Sequence, residues 1–112
     1  MPTTVVTGTI PAGQSLSDSI DASAGNPVFV VGPVDWTPAN ISWQLSADGI
    51  TFHDWFTWDG KELLKPCVAG TAWLLISDIL GTKGAHIKVR SGSRDHPVIQ
   101  AADRVFQFVI AS

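Results

Sequence analysis

The groups able to act on a substrate are few and scattered: His53, His86 and His96, the single Cys67, and ten carboxylates, of which only Glu62 is a glutamate. Nucleophilic catalysis needs a Ser, Thr or Cys with a general base beside it, and the chain has no Gly-x-Ser-x-Gly elbow. His53-Asp54 has the composition of a base and its orienting acid, yet neighbours on a strand point to opposite faces, so other segments would have to complete a triad. Glycoside hydrolysis needs two carboxyl groups across a cleft. Asp54 and Asp59, set among Trp55, Phe56 and Trp58, come nearest to that arrangement, and solvated strand-end and turn positions explain both. Asp48 beside Gly49 is explained by a turn. Nothing has the spacing of an Asp-x-Asp-x-Asp-Gly calcium loop, and one cysteine excludes an internal disulfide or a multi-thiolate site. Cys67 reads as a small apolar filler. No catalysis, metal or cofactor is expected.

Recognition chemistry is better represented. Five tryptophans occur in 112 residues with no tyrosine. Trp43 and Trp73 fall at core positions of strands. Trp36 lies in a Pro-bounded loop, and Trp55 and Trp58 flank the acidic turn Asp59-Gly60. Exposed rings anchor protein interfaces or stack on sugars; a protein interface ranks first here, core packing second and a sugar platform third. Arg90-Ser-Gly-Ser-Arg94-Asp-His96 reads as a Gly/Ser loop whose arginines meet an anionic surface or are simply solvated. The site candidates are therefore Trp36, Trp55, Trp58, Asp59, Arg90 and Arg94.

The elements that must hold these groups are short strands. In Ile41-Ser-Trp-Gln-Leu-Ser46, Ile41, Trp43 and Leu45 point one way and Ser42, Gln44 and Ser46 the other. Asp48-Gly49 then supplies a turn and Thr51-Phe52 resumes extended chain, which predicts a β-hairpin. Turn formers recur about every ten residues from Gly8 to Pro97. Between them strands are expected over 3–10, 16–20, 28–31, 41–46, 51–57, 61–64, 72–76, 86–90 and 105–111, with one helical turn at most, over 77–80. Many short strands with regular turns predict an all-β fold, an antiparallel β-sandwich of jelly-roll type spanning 1–112 as a single domain. Ile41, Trp43, Leu45, Phe52, Leu74, Ile76, Ile87, Val89, Phe106, Phe108 and Ile110 are the expected core. Val105 to Ile110 is apolar at both parities, which predicts a strand covered on two sides, the second by a neighbouring subunit.

Composition narrows the partners. The net charge of −3 argues against a nucleic-acid binder, and no window reaches the ~18 apolar residues that cross a bilayer. Residues 1–60 carry six aspartates and no Lys or Arg, whereas residues 61–112 hold all seven basic groups and net +3. Interleaved strands would pair these charges within the molecule; kept apart in space, they would favour stacking on other copies or on a charged protein. MPTTVVTGTIPAGQ shows neither a basic leader nor a long apolar stretch.

Two resemblances carry further expectations. ISWQLSADGITF, with Ser46, Asp48, Gly49 and Phe52 in place, resembles the hairpin of discoidin-type (coagulation factor 5/8 C-like, galactose-binding) jelly rolls, and Gly84-Ala-His-Ile-Lys-Val-Arg90 is similar to a later strand of that family. Together they cover about a third of the chain; the family's terminal cysteines are missing and His86 stands where an aromatic is usual. The order GTIPAGQSLSDSID, PVDWTPANISWQLSADGITF, IKVRSGS, PVIQAADRVFQFV resembles small virion-associated proteins encoded among the structural genes of tailed bacteriophages. That resemblance implies a capsid-decoration, head-fibre or tail accessory component, synthesised in the bacterial host cytoplasm and located on the virion. Its partners would be other virion proteins and itself, in symmetric assemblies. The alternative expectation is a carbohydrate-binding module that recognises a host surface glycan through Trp55 and Trp58.

Overall fold

Burial along Arg104–Ala111 alternates residue by residue, the mark of a strand with two different faces. A computed structural model describes residues 3–23, 25–74 and 85–111, and among them nine strands form. They are β1 (Thr3–Ile10), β2 (Ile20–Asp21), β3 (Asn26–Val31), β4 (Asn40–Ser46), β5 (His53–Asp54), β6 (Lys65–Pro66), β7 (Ala72–Leu74), β8 (His86–Ser91) and β9 (Arg104–Ala111). One sheet has the order β1-β9-β3-β7; the second has β2-β8-β4-β5, with β6 also on β4. Every pairing is antiparallel. The chain is an all-β sandwich, with no helix among the described residues. The helical turn expected over 77–80 and the core position Ile76 lie outside the described residues, as do the side chains of Trp73 and Leu74.

The two sheets meet through their apolar parities. Ile10, Val30, Phe106, Phe108 and Ile110 from the first sheet and Ile20, Ile41, Trp43, Ile87 and Val89 from the second form one buried cluster. Trp43 and Phe108 cross the interface edge to face, centroids 5.8 Å apart, and each buried side chain of this size contributes about 1.5–3 kcal/mol. Leu63 joins this cluster from a loop, and Trp36, Trp55 and Cys67, partly buried, pack against it. Burial pushes the Cys67 thiol up to about 11, so it stays protonated and unreactive at neutral pH. The Trp43 indole N–H has no hydrogen-bond partner among the described residues.

Three expected strands come out differently, each for a local reason. The hairpin after β4 exists, with Gln44 opposite Asp54 and Leu45 opposite His53, but its connection is longer than the two-residue turn. Asp48 Oδ1 accepts the N–H groups of Ile50 and Thr51, which holds those residues in the loop instead of the ladder. Only Gly49 takes the positive φ, at 79°. Within 16–20, Leu16 bridges Arg90, then Asp18 turns aside to bond Thr9, so regular pairing resumes only at β2. Residues 51–57 and 61–64 contribute β5 and a single bridge between Phe56 and Glu62.

Gly92 closes β8 into the loop over 92–98 with φ 88°. A Cβ there would sit 2.8 Å from the Val98 backbone N and would also strike the His96 carbonyl oxygen. Both obstacles are backbone and cannot swing away. Gly92→Ala is therefore expected to cost about 2–4 kcal/mol, read as a lower urea midpoint; a midpoint equal to that of the wild type would contradict this account.

Candidate functional site

The parity of β4 that reads as solvent-facing builds a connected group of polar side chains. Ser42 and Gln44 stand opposite Arg90 and Lys88 of β8, and Gln44 stands opposite Asp54 of β5, so all five side chains share the outer face of the second sheet. Arg90 is only 9% exposed at its side chain. Its Nε donates to Ser42 Oγ at 2.9 Å, Nη1 to Asp54 Oδ1 at 2.7 Å and Nη2 to Glu62 Oε2 at 2.9 Å. Ser42 Oγ in turn donates to the Gly92 carbonyl at 2.8 Å. A guanidinium removed from water needs such partners on each donor edge, since an unpaired buried charge is costly.

Arg94 extends the cluster. Its backbone N–H donates to Glu62 Oε2 at 2.8 Å and its Nε lies 3.2 Å from Asp54 Oδ2. The Arg90 hydrogen bond is the main reason the Asp54 carboxyl is held below the usual carboxylate range. An Asp kept ionised in this way is a poor general acid near neutral pH.

Glu62 belongs to a narrow finger over 55–63 that folds onto this face. Trp55 N–H donates to the Trp43 carbonyl, Leu63 N–H to the Trp55 carbonyl and Thr57 N–H to the Lys61 carbonyl. Gly60, at φ 84°, turns the tip, and Trp58 there is fully exposed. Asp59 accepts from the Thr57 hydroxyl, which lowers its pKa. Cations cover two rings on the same side: Lys88 Nζ stands 4.4 Å from the Phe52 centroid and the Arg94 guanidinium 5.7 Å from that of Phe56.

The six candidate residues thus separate. Arg90 and Arg94 lie in the charged cluster with Asp54 and Glu62, and Trp58 and Asp59 lie on the finger. Trp55 is half-buried against the core beneath it. Trp36 is elsewhere and inward: its indole N–H donates to the Ala39 carbonyl at 3.0 Å and its ring meets Phe106 edge to face. Arg90 ends the strand expected over 86–90, and the anionic surface it meets is made by Asp54 and Glu62 of its own chain. Asp54 and Asp59 do not form a carboxyl pair either; one bonds Arg90 and the other Thr57.

Sequence reasoning missed Glu62, Ser42 and a second network. Gln100, wholly buried, accepts from Thr37 N–H and Arg104 Nε and donates to the Thr37 carbonyl and Ser91 Oγ. All of its side-chain capacity is used, which locks the 100–104 bend to the loop carrying Trp36. A separate open cleft of about 480 Å³ is lined by Val31, Pro33, Val34, Asp35, Arg104 and Val105, among others. No family model matches the chain, and no curated protein or solved structure matches it.

Arg90→Met is expected to lower stability by about 3–5 kcal/mol, since it strands two carboxylates. Arg90→Lys should recover little of that, because one ammonium cannot serve three separated acceptors. Denaturant unfolding of the two variants checks both; a fully stable Arg90→Lys protein would contradict the fork geometry. Acid acts on the β4–β5 loop as well. Amides of Thr51 and Ile50 draw the Asp48 pKa down to about 2, against about 3.9 in an unfolded chain. A depressed folded pKa means stability present above the unfolded value and lost as pH falls through the folded one. Stability should therefore fall between about pH 4 and pH 2, and Asp48→Asn should flatten that slope in pH-dependent unfolding.

Proposed function

We propose that this chain is a non-catalytic structural component of a tailed-bacteriophage particle, a capsid decoration, head-fibre or tail accessory subunit that works through contacts with other virion proteins and with copies of itself. The observation that carries the protein-contact reading is apolar surface displayed on ordered elements. Val5 and Val105 are exposed on the outer face of the first sheet, and Phe56, Trp58 and Leu64 on and beside the finger. Surfaces of this kind mark interaction sites. The charged groups nearest the finger support the same reading, since Asp54, Glu62 and Arg90 are engaged with one another and hold the display in place. The particle assignment itself draws on the order of sequence segments that resembles phage virion-associated proteins.

Particles purified on a density gradient test the assignment. Peptides of this chain should appear by mass spectrometry in a fixed ratio to the major capsid or tail protein. Recovery of the chain only from the soluble lysate, with none on particles, would remove the particle role.

A carbohydrate-binding module is the second reading, favoured by one observation: the Trp58 ring stands clear of the protein beside the Asp59 carboxylate. With Trp55 turned toward the core, the platform reduces to Trp58 and Phe56. A glycan array should then show selective binding that Trp58→Ala abolishes while leaving the thermal midpoint unchanged. An array with no signal from the wild-type chain sinks this reading.

A further inference from the structure

β1 is an outermost strand of the first sheet, and one residue reveals which of its backbone groups face outward. The Thr9 N–H donates to Asp18 Oδ1 at 2.8 Å and the Thr9 carbonyl accepts from Asp18 N–H at 3.2 Å. Thr9 therefore turns its N–H away from β9. In an antiparallel ladder, a residue presents both backbone groups to its partner strand or neither, in alternation. The β1–β9 register is unbroken from Thr3 to Ile10, so Thr3, Val5 and Thr7 also face away. Among the described residues nothing takes their N–H and C=O groups. Residues 3–10 also contain no charge and no proline, the usual means by which an edge is kept from pairing.

The side chains of these three residues stand on the outer face of the sheet, where all are exposed, Val5 at 58%. Val5 is in register with Val109, and Val109 with Phe29, giving one apolar row across three strands. At the edge the row stops, and among the described residues no strand pairs beyond it.

The geometry points to this edge as the contact between two copies of the chain: β1 of a second copy pairs antiparallel with β1 across a two-fold axis at Val5. The outward positions read Thr3, Val5, Thr7, the same in both directions. Thr3 then meets Thr7 of the second copy, Val5 meets its own equivalent, and each such pair exchanges two N–H···O bonds. Thr–Thr and β-branched pairs are favourable cross-strand neighbours. The row Phe29, Val109, Val5 runs on into its symmetry mate without a charge in the way. Self-complementarity of this kind is what an isologous interface requires, and a second copy satisfies it better than an unrelated extended peptide. The pairing does not depend on the particle role; a chain that dimerises as described but labels no particle would overturn only that role.

Sedimentation of the full chain between about 1 and 100 µM should show a dimer. Val5→Pro removes an N–H that β9 does not use, and proline is tolerated on an edge strand. That variant should keep the wild-type circular dichroism while its dimer dissociation constant rises at least about tenfold. As a second measurement, Val5→Cys in a Cys67→Ala background should oxidise to a covalent dimer, because paired Cα atoms about 5.5 Å apart suit a disulfide. Thr9→Cys, at the position Asp18 already covers, should not. A monomer throughout the range, or a dimer unaffected by Val5→Pro that fails to cross-link at position 5, overturns the proposal.

Discussion

On β9, Phe106, Phe108 and Ile110 point between the sheets while Val105, Gln107 and Val109 point out, and most of the architecture follows from that parity. β9 lies between β1 and β3, so its alternation is imposed on both neighbours through the ladder. A slip of one residue would send two phenylalanines to the surface and Gln107 into the core. Apolar area removed from water on the inner side holds the sandwich closed. The outer side of the same strands also carries apolar groups, with Val5 and Val105 exposed to solvent.

The second sheet handles its outer face in another way. There the exposed parity is polar, and Arg90 is buried on it by Asp54, Glu62 and the finger over 55–63. A buried ion pair is weak evidence for net stability, because desolvation offsets much of the attraction. What it does provide here is geometry: three donors at fixed angles place the finger and the loop after β8 relative to each other. Trp58 is thereby presented from a tip whose base is clamped, and an aromatic group shown on a rigid support loses less entropy when it binds. The two faces thus differ in kind, one bearing exposed valines on β1 and β9, the other a ring projecting beside a charged cluster.

Much of the sandwich was legible from periodicity. The strands over 3–10, 41–46, 86–90 and 105–111 match β1, β4, β8 and β9 to within a residue at either end, because long alternating segments leave little choice of conformation. Shorter segments were decided by side chains acting on backbone. Asp48 withholds Ile50 and Thr51 from the ladder, and Asp18 diverts the segment between Leu16 and Ile20 toward Thr9. Such bonds compete with regular pairing wherever Asp is near a free N–H, and no pattern of hydrophobicity registers them.

The candidate site was legible only in pieces. Arg90, Arg94, Trp58 and Asp59 stood out by residue type, but Ser42 and Glu62 did not, because their importance lies in reaching a guanidinium 48 and 28 positions away in the chain. By itself the sequence determined the alternation, hence the strands, the two-layered core and the surplus of apolar residues on β1 and β9. Only the tertiary structure decided which charges meet, which tryptophans turn inward and which backbone edge is left open. The physical reason is range: alternation is written between residues two apart, whereas ion pairing and edge pairing depend on segments that approach only once the sheets have packed.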